Sequence, residues 1–374
     1  MASYTKISTR NWKAIVSLGY DYNGKRIRKT KQGFKSKKEA EIWVNDICSK
    51  HNEGFISTSD SNILLKDFIE KWFNEYKINT GSIGTRNNYK SRINTHIIPQ
   101  LGHLRLNQLT NIDVQNFYNN LINSGQKPSS AKKIIEALSN CLRYAQKNKL
   151  IYSLPTDIIR IPVEKPKIKF WTKDEVDYYL SEIKNTSLYT PIFIALLTGL
   201  RIGELCGLRW ESIDFNNNTL TVDHQVINNK LDNTIIFTDR LKTSASYRKI
   251  ILPQVLISHL KDIKGNAAES DFILLNSKGT MCNPRNLSMQ FSKSIAKYST
   301  KNESKSCNNY KPLTKITFHA LRHTHATLLI SNGENIKVVS QRLGHKSITE
   351  TLDTYTHIVE DMNINTANLL DSMF

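Results

Sequence analysis

The sequence predicts a multidomain protein. It should comprise a small α+β N-terminal domain (a three-stranded sheet plus a helix), an all-α domain, and a mixed, mainly-α domain with a small antiparallel sheet. Three observations predict this. The 374-residue chain exceeds what one hydrophobic core usually organises. Its start groups β-branched and aromatic residues around an Asn-Gly turn, whereas residues 62–154 follow a helical period. Pro155, Pro162 and Pro166 then interrupt the chain before mixed patterning resumes. The expected divisions are 1–58, 62–154, a linker over 155–169, and 170–374 with a C-terminal tail.

In the first segment, Trp12 to Tyr20 has strand-like content, Asp21-Tyr22-Asn23-Gly24 supplies a turn, and Lys25 to Phe34 returns. Residues 25–38 carry Lys25, Arg26, Arg28, Lys29, Lys31, Lys35, Lys37 and Lys38 and no acid. Ser36-Lys37-Lys38-Glu39 reads as a capping box, and Ala40, Trp43, Val44 and Ile47 follow at helical spacing. A small sheet backed by one helix, with a basic strand, can enter a major groove. The plainer reading is a solvated hairpin.

In the second segment, Leu64, Leu65, Phe68, Ile69, Trp72, Phe73 and Tyr76 keep a 3.6-residue period. A second helix is expected from Thr85 to Ile97, stopping at Pro99. A third starts near Thr110 and carries Val114, Phe117, Tyr118, Leu121 and Ile122. A fourth is capped by Ser129 or Ser130, with Ile134, Ile135, Leu138, Leu142 and Tyr144 inside. Arg86, Lys90, Arg92, Lys132, Lys133, Arg143 and Lys147 occupy polar positions, where a solvated face is the default. The prolines and lysines that follow read as an extended connector.

The third segment opens on the capping box Thr172-Lys173-Asp174-Glu175, leading a helix toward Ile183. Helices follow from Leu188 to Leu197 and from near Ile202. Strands are expected over Thr219–Ile227, Thr234–Asp239 and Arg248–Leu252, and helices from His319 onward. Asn216 to Asn218 and Lys301 to Lys311 read as polar loops.

The formal charge of +19, from 52 basic and 33 acidic residues, favours a polyanionic partner. No apolar run approaches the length of a membrane span, and no amphipathic membrane helix stands out. The polar start, Met1 to Trp12, lacks a signal core. Cys48, Cys141, Cys206, Cys282 and Cys307 are scattered, which argues for a reducing cytoplasm and against a zinc knuckle.

The last third carries the chemistry. Arg201, in Thr198-Gly199-Leu200-Arg201-Ile202-Gly203-Glu204-Leu205, follows a buried apolar helix that ends at the glycine. Its fork can enter a cleft while Glu204, one turn on, orients it; a surface Arg–Glu pair is the plainer reading. His319-Ala320-Leu321-Arg322 sets a histidine and an arginine on one helical face. His323 and His325 raise the question of a metal, but Arg322 would repel a cation and no acidic cluster lies near. Lys242 lies between two expected strands, where most lysines are only solvated. Leu343-Gly344-His345 ends a helix starting near Asn335, and Tyr355 lies ten residues beyond His345. Guanidinium forks can neutralise non-bridging phosphate oxygens, histidines and a lysine can move protons, and a phenol can attack phosphorus. Such a set can cut a phosphodiester without metal.

In order and spacing, Arg201, Lys242, His319-x-x-Arg322, Gly344-His345 and Tyr355 resemble the tyrosine recombinases, specifically phage- and transposon-type integrases. The first two segments are similar to that family's arm-site-binding and core-site-binding domains. The resemblance implies a site-specific integrase of a phage or integrative element, acting in the cytoplasm on double-stranded DNA attachment sites as a homo-tetramer. It also implies possible help from an excisionase and a host DNA-bending protein. Tyr355 would form a 3′-phosphotyrosine, Arg201 and Arg322 would hold the phosphate with His345, and Lys242 in a mobile hairpin would protonate the leaving 5′-oxygen. His319 would donate to the phosphate or accept the phenol proton. No metal and no cofactor is expected. DNA contacts would come from Lys25, Arg26, Arg28, Lys29, Lys31, Arg86, Lys90 and Lys132. The tail, Asp361 to Phe374, would pack on a neighbour or on its own domain. The rivals are a type IB topoisomerase, which the N-terminal domain argues against, and a catalytically silent DNA-binding regulator.

Overall fold

The computed structural model describes residues 2–20, 26–52, 63–163, 168–229, 234–239, 241, 246–303, 313–355, 371 and 373. The chain divides into two compact units, Met1–Glu164 and Lys165–Phe374.

In the first unit, β1 (Ala2–Ser8), β2 (Asn11–Tyr20) and β3 (Arg26–Phe34) form an antiparallel sheet in that order, followed by α1 (Lys37–Asn52). β1 is an almost wholly exposed edge strand, so its sequence lacks the apolar alternation that marks β2. Ala14, Val16, Leu18 and Phe34 bury against Ala40 and Val44 of α1. Ser36 Oγ accepts the Glu39 amide at 3.2 Å as a cap should. Glu39 reaches back to the Lys35 amide at 2.7 Å, one residue earlier than the motif implies.

A second core in the same unit is all helix: α2 (Leu65–Trp72), α3 (Ile83–Arg92), α4 (Ile98–Leu101), α5 (Asn111–Asn123) and α6 (Pro128–Lys147). The chain does not stop at Pro99. A π-helical turn, Ile93–Ile97, carries α3 into α4, and Pro99 sits in the first turn of α4, where a missing N–H leaves no bond unmade. Neither Ser129 nor Ser130 caps α6; Lys127 is its N-cap and Pro128 holds the first helical position, again the favoured site for proline. Thr110 caps α5 in a full capping box with Asp113. The start of the expected linker is extended but docked: the Ile159 amide donates to Gln115 Oε1 at 2.8 Å, and the Ile161 amide to the Tyr118 hydroxyl at 2.9 Å.

The second unit runs α7 (Lys173–Ile183), α8 (Tyr189–Thr198), α9 (Ile202–Cys206), β4 (Ile213–Asp214), β5 (Thr219–Val222), β6 (Gln225–Asn229), β7 (Thr234–Thr238) and β8 (Arg248–Ile251). It continues through α10 (Gln254–Lys264), α11 (Pro284–Glu303), α12 (Phe318–Ser331), α13 (Ile336–Leu343) and a helical stretch at 348–355. Thr172 and Glu175 close their capping box, and Glu175 Oε1 also accepts the Thr314 amide at 2.8 Å. Trp171, fully buried, packs on Tyr179 and Phe291 and donates its indole N–H to the Thr314 carbonyl at 2.7 Å, joining α7, α11 and the approach to α12.

Two expectations change here. Thr219–Ile227 is not one strand: it breaks at Asp223-His224, so β5 pairs with β4 and β8 while β6 pairs with β7. β7 and β8, which flank Lys242, therefore belong to different sheets among the described residues. The expected polar loop from Lys301 is helical through Glu303, and its remainder lies outside the described residues.

Candidate active site

α8 is apolar on every side and ends where Gly199 turns left-handed, at φ 67°. A β-carbon there would lie 2.7 Å from His325 Cδ2 and 2.8 Å from Leu343 Cδ2, so both the backbone and the packing require glycine. The turn leaves Arg201 extended as the N-cap of α9. Its amide and Nη1 donate to Glu204 at 3.0 and 2.7 Å, and its Nη2 donates to the Gly344 carbonyl at 3.1 Å. The first arginine motif is thereby joined directly to the Gly344-His345 turn.

Glu204 is 2% exposed and held from two sides. Arg248, which the sequence reading did not single out, donates Nη2 to Glu204 Oε2 at 2.9 Å, Nε to the Arg342 carbonyl at 2.7 Å and Nη1 to the Ser246 carbonyl at 2.9 Å. Burial works against the charged carboxylate. The charge and hydrogen bond of Arg248, with those of Arg201, outweigh it and keep the Glu204 pKa below its ordinary value. The sequence marks Arg248 only as the first residue of a short strand, Arg248–Ile251; its enclosure, with a side chain 6% exposed, is what sets it apart from a solvated arginine.

Arg322, on α12, is 3% exposed, and its Nη1 donates to the Gly199 carbonyl at 2.9 Å. Its Nη2 is also buried but has no hydrogen-bond partner among the described residues. Burial first, then repulsion from Arg201 and from Arg248, against the pull of Glu204 and Tyr355, brings its pKa down to about 9. It therefore stays charged at neutral pH. Around Glu204 stand three guanidiniums, Arg201, Arg248 and Arg322, so the cluster holds excess positive charge and an unsatisfied buried donor. An anion with several oxygens answers both needs.

α13 starts from an Asn335 cap and ends with Gly344 left-handed at φ 68°, which turns His345 back toward the arginines. His345 Nδ1 lies 2.7 Å from Thr351 Oγ1; burial, then Arg322, with Arg201 and His323, lower its pKa to about 4 against the opposing pull of Glu350. Tyr355, 1% exposed, packs with Ala326, Ile330, Val339 and Leu343. Burial raises its pKa and Arg322 lowers it, leaving it above the ordinary phenol range. Its hydroxyl is 2.9 Å from Nδ1 of His323, one helical turn beyond His319, and the rings of those two histidines meet edge-on at 5.1 Å. Burial, His319 and Arg322 hold the His323 pKa down to about 4, so the ring is neutral at pH 7 and its Nδ1, in the Nε2–H tautomer, can accept the phenol hydrogen. His325 faces elsewhere. Its Nδ1 is 2.7 Å from the Leu196 carbonyl and its Nε2 accepts from Arg342 Nε at 3.2 Å; burial, then Arg342, lower its pKa to about 3.

Arg201, Glu204, Arg322, His345 and Tyr355 are thus gathered, with His319 reaching the group through His323. Lys242 lies outside the described residues; the Tyr247 hydroxyl donates to the Asp239 carbonyl across the segment that carries it. Lys25 is likewise outside them. Register divides the other basic residues of the sheet. Arg28 opposite Ser17, and Arg26 donating to Ser17 Oγ at 2.9 Å, lie on the open face; Lys29 and Lys31, opposite Val16 and Ala14, share the helix-backed side. In the helical core Lys90 and Lys132 are exposed, whereas Arg86 is half-buried and donates to the Ile78 carbonyl at 2.9 Å. Among the described residues no group of three or more His, Cys, Asp or Glu is placed to hold a metal ion, and no helix is long and apolar enough to cross a membrane.

Residues 169–361 match the phage integrase family, residues 64–122 the N-terminal SAM-like domain of phage integrases, and residues 3–50 an arm DNA-binding domain. The ICEBs1 integrase of Bacillus subtilis is 28% identical over 99% of this chain and all of its own length. In fold, the chain is similar to the Tn1549 transposon integrase in complex with transposon right end DNA, with a TM-score of 0.68 and 22% identity over 78% of this chain and 95% of that one. It is also similar to a lambda integrase tetramer bound to a Holliday junction, with a TM-score of 0.56 and 19% identity over 93% and 96% of the two chains.

Proposed function

The chain belongs to the phage integrase family and is a site-specific tyrosine recombinase of a phage or integrative element; on that premise we propose that Tyr355 is its nucleophile and Arg201 and Arg322 its phosphate clamp. The buried, unpartnered Nη2 of Arg322 carries this reading, because it belongs with Arg201 to a cluster whose excess positive charge suits a phosphodiester. The phenol oxygen of Tyr355 attacks phosphorus, the bond to the 5′-oxygen breaks, and a 3′-phosphotyrosine forms. Lys242 gives the 5′-oxygen its proton. Arg201 and Arg322 bind the non-bridging oxygens as charge grows on them, and His319 and His345 add hydrogen bonds. Each such donor is worth on the order of 10²–10³ in rate. The energy of the broken bond stays in the phosphotyrosine, so a second 5′-hydroxyl can reseal the strand without ATP.

In this reading residues 1–58 bind arm sites, with Arg26 and Arg28 on the open face of the sheet toward the groove and Lys25, Lys29 and Lys31 toward backbone phosphates. Residues 62–154 grip core sites through Lys90, Lys132 and Arg86, residues 155–169 link, and residues 170–374 catalyse. The +19 charge supports the polyanionic partner. Four protomers exchange strands between two duplexes in the cytoplasm, an arrangement supported by the tetrameric lambda relative, and an excisionase and a host bending protein set direction. The test is a nicked suicide substrate from which the cleaved strand end diffuses away. Wild-type protein should accumulate covalent adduct, and Tyr355→Phe should bind the same DNA and trap none. Adduct persisting with the Phe variant would exclude Tyr355.

A further inference from the structure

We propose that His323 is a further catalytic residue: its Nδ1 accepts the proton of the Tyr355 hydroxyl as the phenol oxygen attacks phosphorus. This rests on the assignment of Tyr355 as nucleophile. The geometry is direct. Nδ1 stands 2.9 Å from the reacting oxygen, and the two rings meet edge-on at 5.9 Å. His323 is one helical turn beyond His319 and next to Arg322, so α12 delivers a phosphate ligand and the proton acceptor from adjacent positions. As the Oη–P bond forms, the O–H bond breaks and its proton moves to Nδ1, while the P–O5′ bond breaks and the departing oxygen takes a proton from Lys242. In religation the imidazolium returns the proton to the phenolate that leaves. His319 then keeps only its role at the phosphate.

The charged and titratable groups facing His323 are His319 and Arg322 on its own helix, Tyr355 from the stretch at 348–355, and His345 from the turn after α13. Burial first, then His319 and Arg322, disfavour a protonated ring. A phosphodiester bound by Arg201 and Arg322 brings a compensating negative charge, so the ring becomes more basic at the moment it is needed.

The experiment compares single-turnover cleavage of the nicked suicide substrate by wild-type protein, His323→Asn and Tyr355→Phe. Asparagine places an acceptor oxygen near the position of Nδ1, preserving the hydrogen bond while lacking basicity. His323→Asn should bind DNA normally and cleave on the order of 10²-fold more slowly or worse. Its rate should climb with pH across 6 to 9, as hydroxide takes over, where wild type is nearly flat. A 5′-bridging phosphorothiolate, whose sulfur leaves without a proton, should rescue Lys242→Ala and leave His323→Asn slow; free imidazole should partly restore His323→Gly. Wild-type rate and pH profile in His323→Asn, or rescue of it by the phosphorothiolate, would overturn the assignment of His323 alone. Adduct formation by Tyr355→Phe would instead remove the reading on which it rests.

Discussion

Glu204→Gln probes the electrostatic frame of the arginine cluster. The wild-type carboxylate accepts from the Arg201 amide at 3.0 Å, Arg201 Nη1 at 2.7 Å and Arg248 Nη2 at 2.9 Å, and is 2% exposed. Glutamine keeps the volume and one acceptor, removes the charge, and turns an NH₂ toward a guanidinium. Breaking a buried ion pair by removing one partner costs about 3–5 kcal/mol, and retention of one oxygen argues for the lower end. For a unit of this size, about 3 kcal/mol corresponds to a Tm lower by about 6–12 °C. Glu211→Gln is the matched control: its 3.2 Å pair with Arg209 is half exposed. Its loss should cost less than about 0.5 kcal/mol. Calorimetry on the full chain reads both. The effect also has a pH signature. A carboxyl whose folded pKa is depressed contributes stability above its unfolded pKa and loses it as pH falls through the folded value. The gap between wild type and Glu204→Gln should therefore be full at neutral pH and close on acidification below the ordinary value of 4.5. A variant melting within about 2 °C of wild type at pH 7 would refute the reasoning.

Gly199→Ala should destabilise by about 2–4 kcal/mol in urea titrations, since it adds left-handed strain to overpacking against His325 and Leu343. It should also slow cleavage, because the Gly199 carbonyl anchors Arg322; unchanged stability would contradict the packing described. His323, His325 and His345, with pKa values lowered to about 4, 3 and 4, bind protons more readily when unfolded. Stability should thus fall as pH drops from about 6.5 toward 4, and His325→Asn should flatten part of that slope; a level wild-type profile over this window speaks against buried neutral rings. Arg28→Ala, on the open face of the sheet, should lower the salt slope of arm-site binding by about one while leaving cleavage of a core-only substrate intact. An unaltered slope would take Arg28 out of the interface.

Much of the fold was legible because its signals are local. The Thr172-x-x-Glu175 box, the period of Leu65 to Trp72 and the glycines closing α8 and α13 each report on their own few residues. The failures came where local signals compete. Pro99 looks like a breaker, and Ser129 or Ser130 like a cap, until the first-turn positions of Pro99 and Pro128 are known. Thr219–Ile227 reads as one strand because the break at Asp223-His224 is a matter of sheet partnership. At the site, Arg201, Glu204, Arg322, His345 and Tyr355 were nameable from order and spacing. Arg248 was not, because its meaning lies in two partners from distant segments, Glu204 and Arg342. His323 was weighed only as a metal ligand, since helical spacing relates it to His319 but cannot show that Tyr355 folds back onto it. The split of Arg28 from Lys29 and Lys31 across the sheet follows from pairing register, which charge counting does not see.

The nucleophile can be read chemically by trapping the covalent complex on a suicide substrate, digesting protein and DNA, and locating the nucleotide-bearing peptide by tandem mass spectrometry. The expected product is a nucleoside 3′-phosphate on the phenol oxygen of Tyr355, with a free 5′-hydroxyl on the other strand end. A phosphate linked to any other side chain, or joined through its 5′ end, would contradict it.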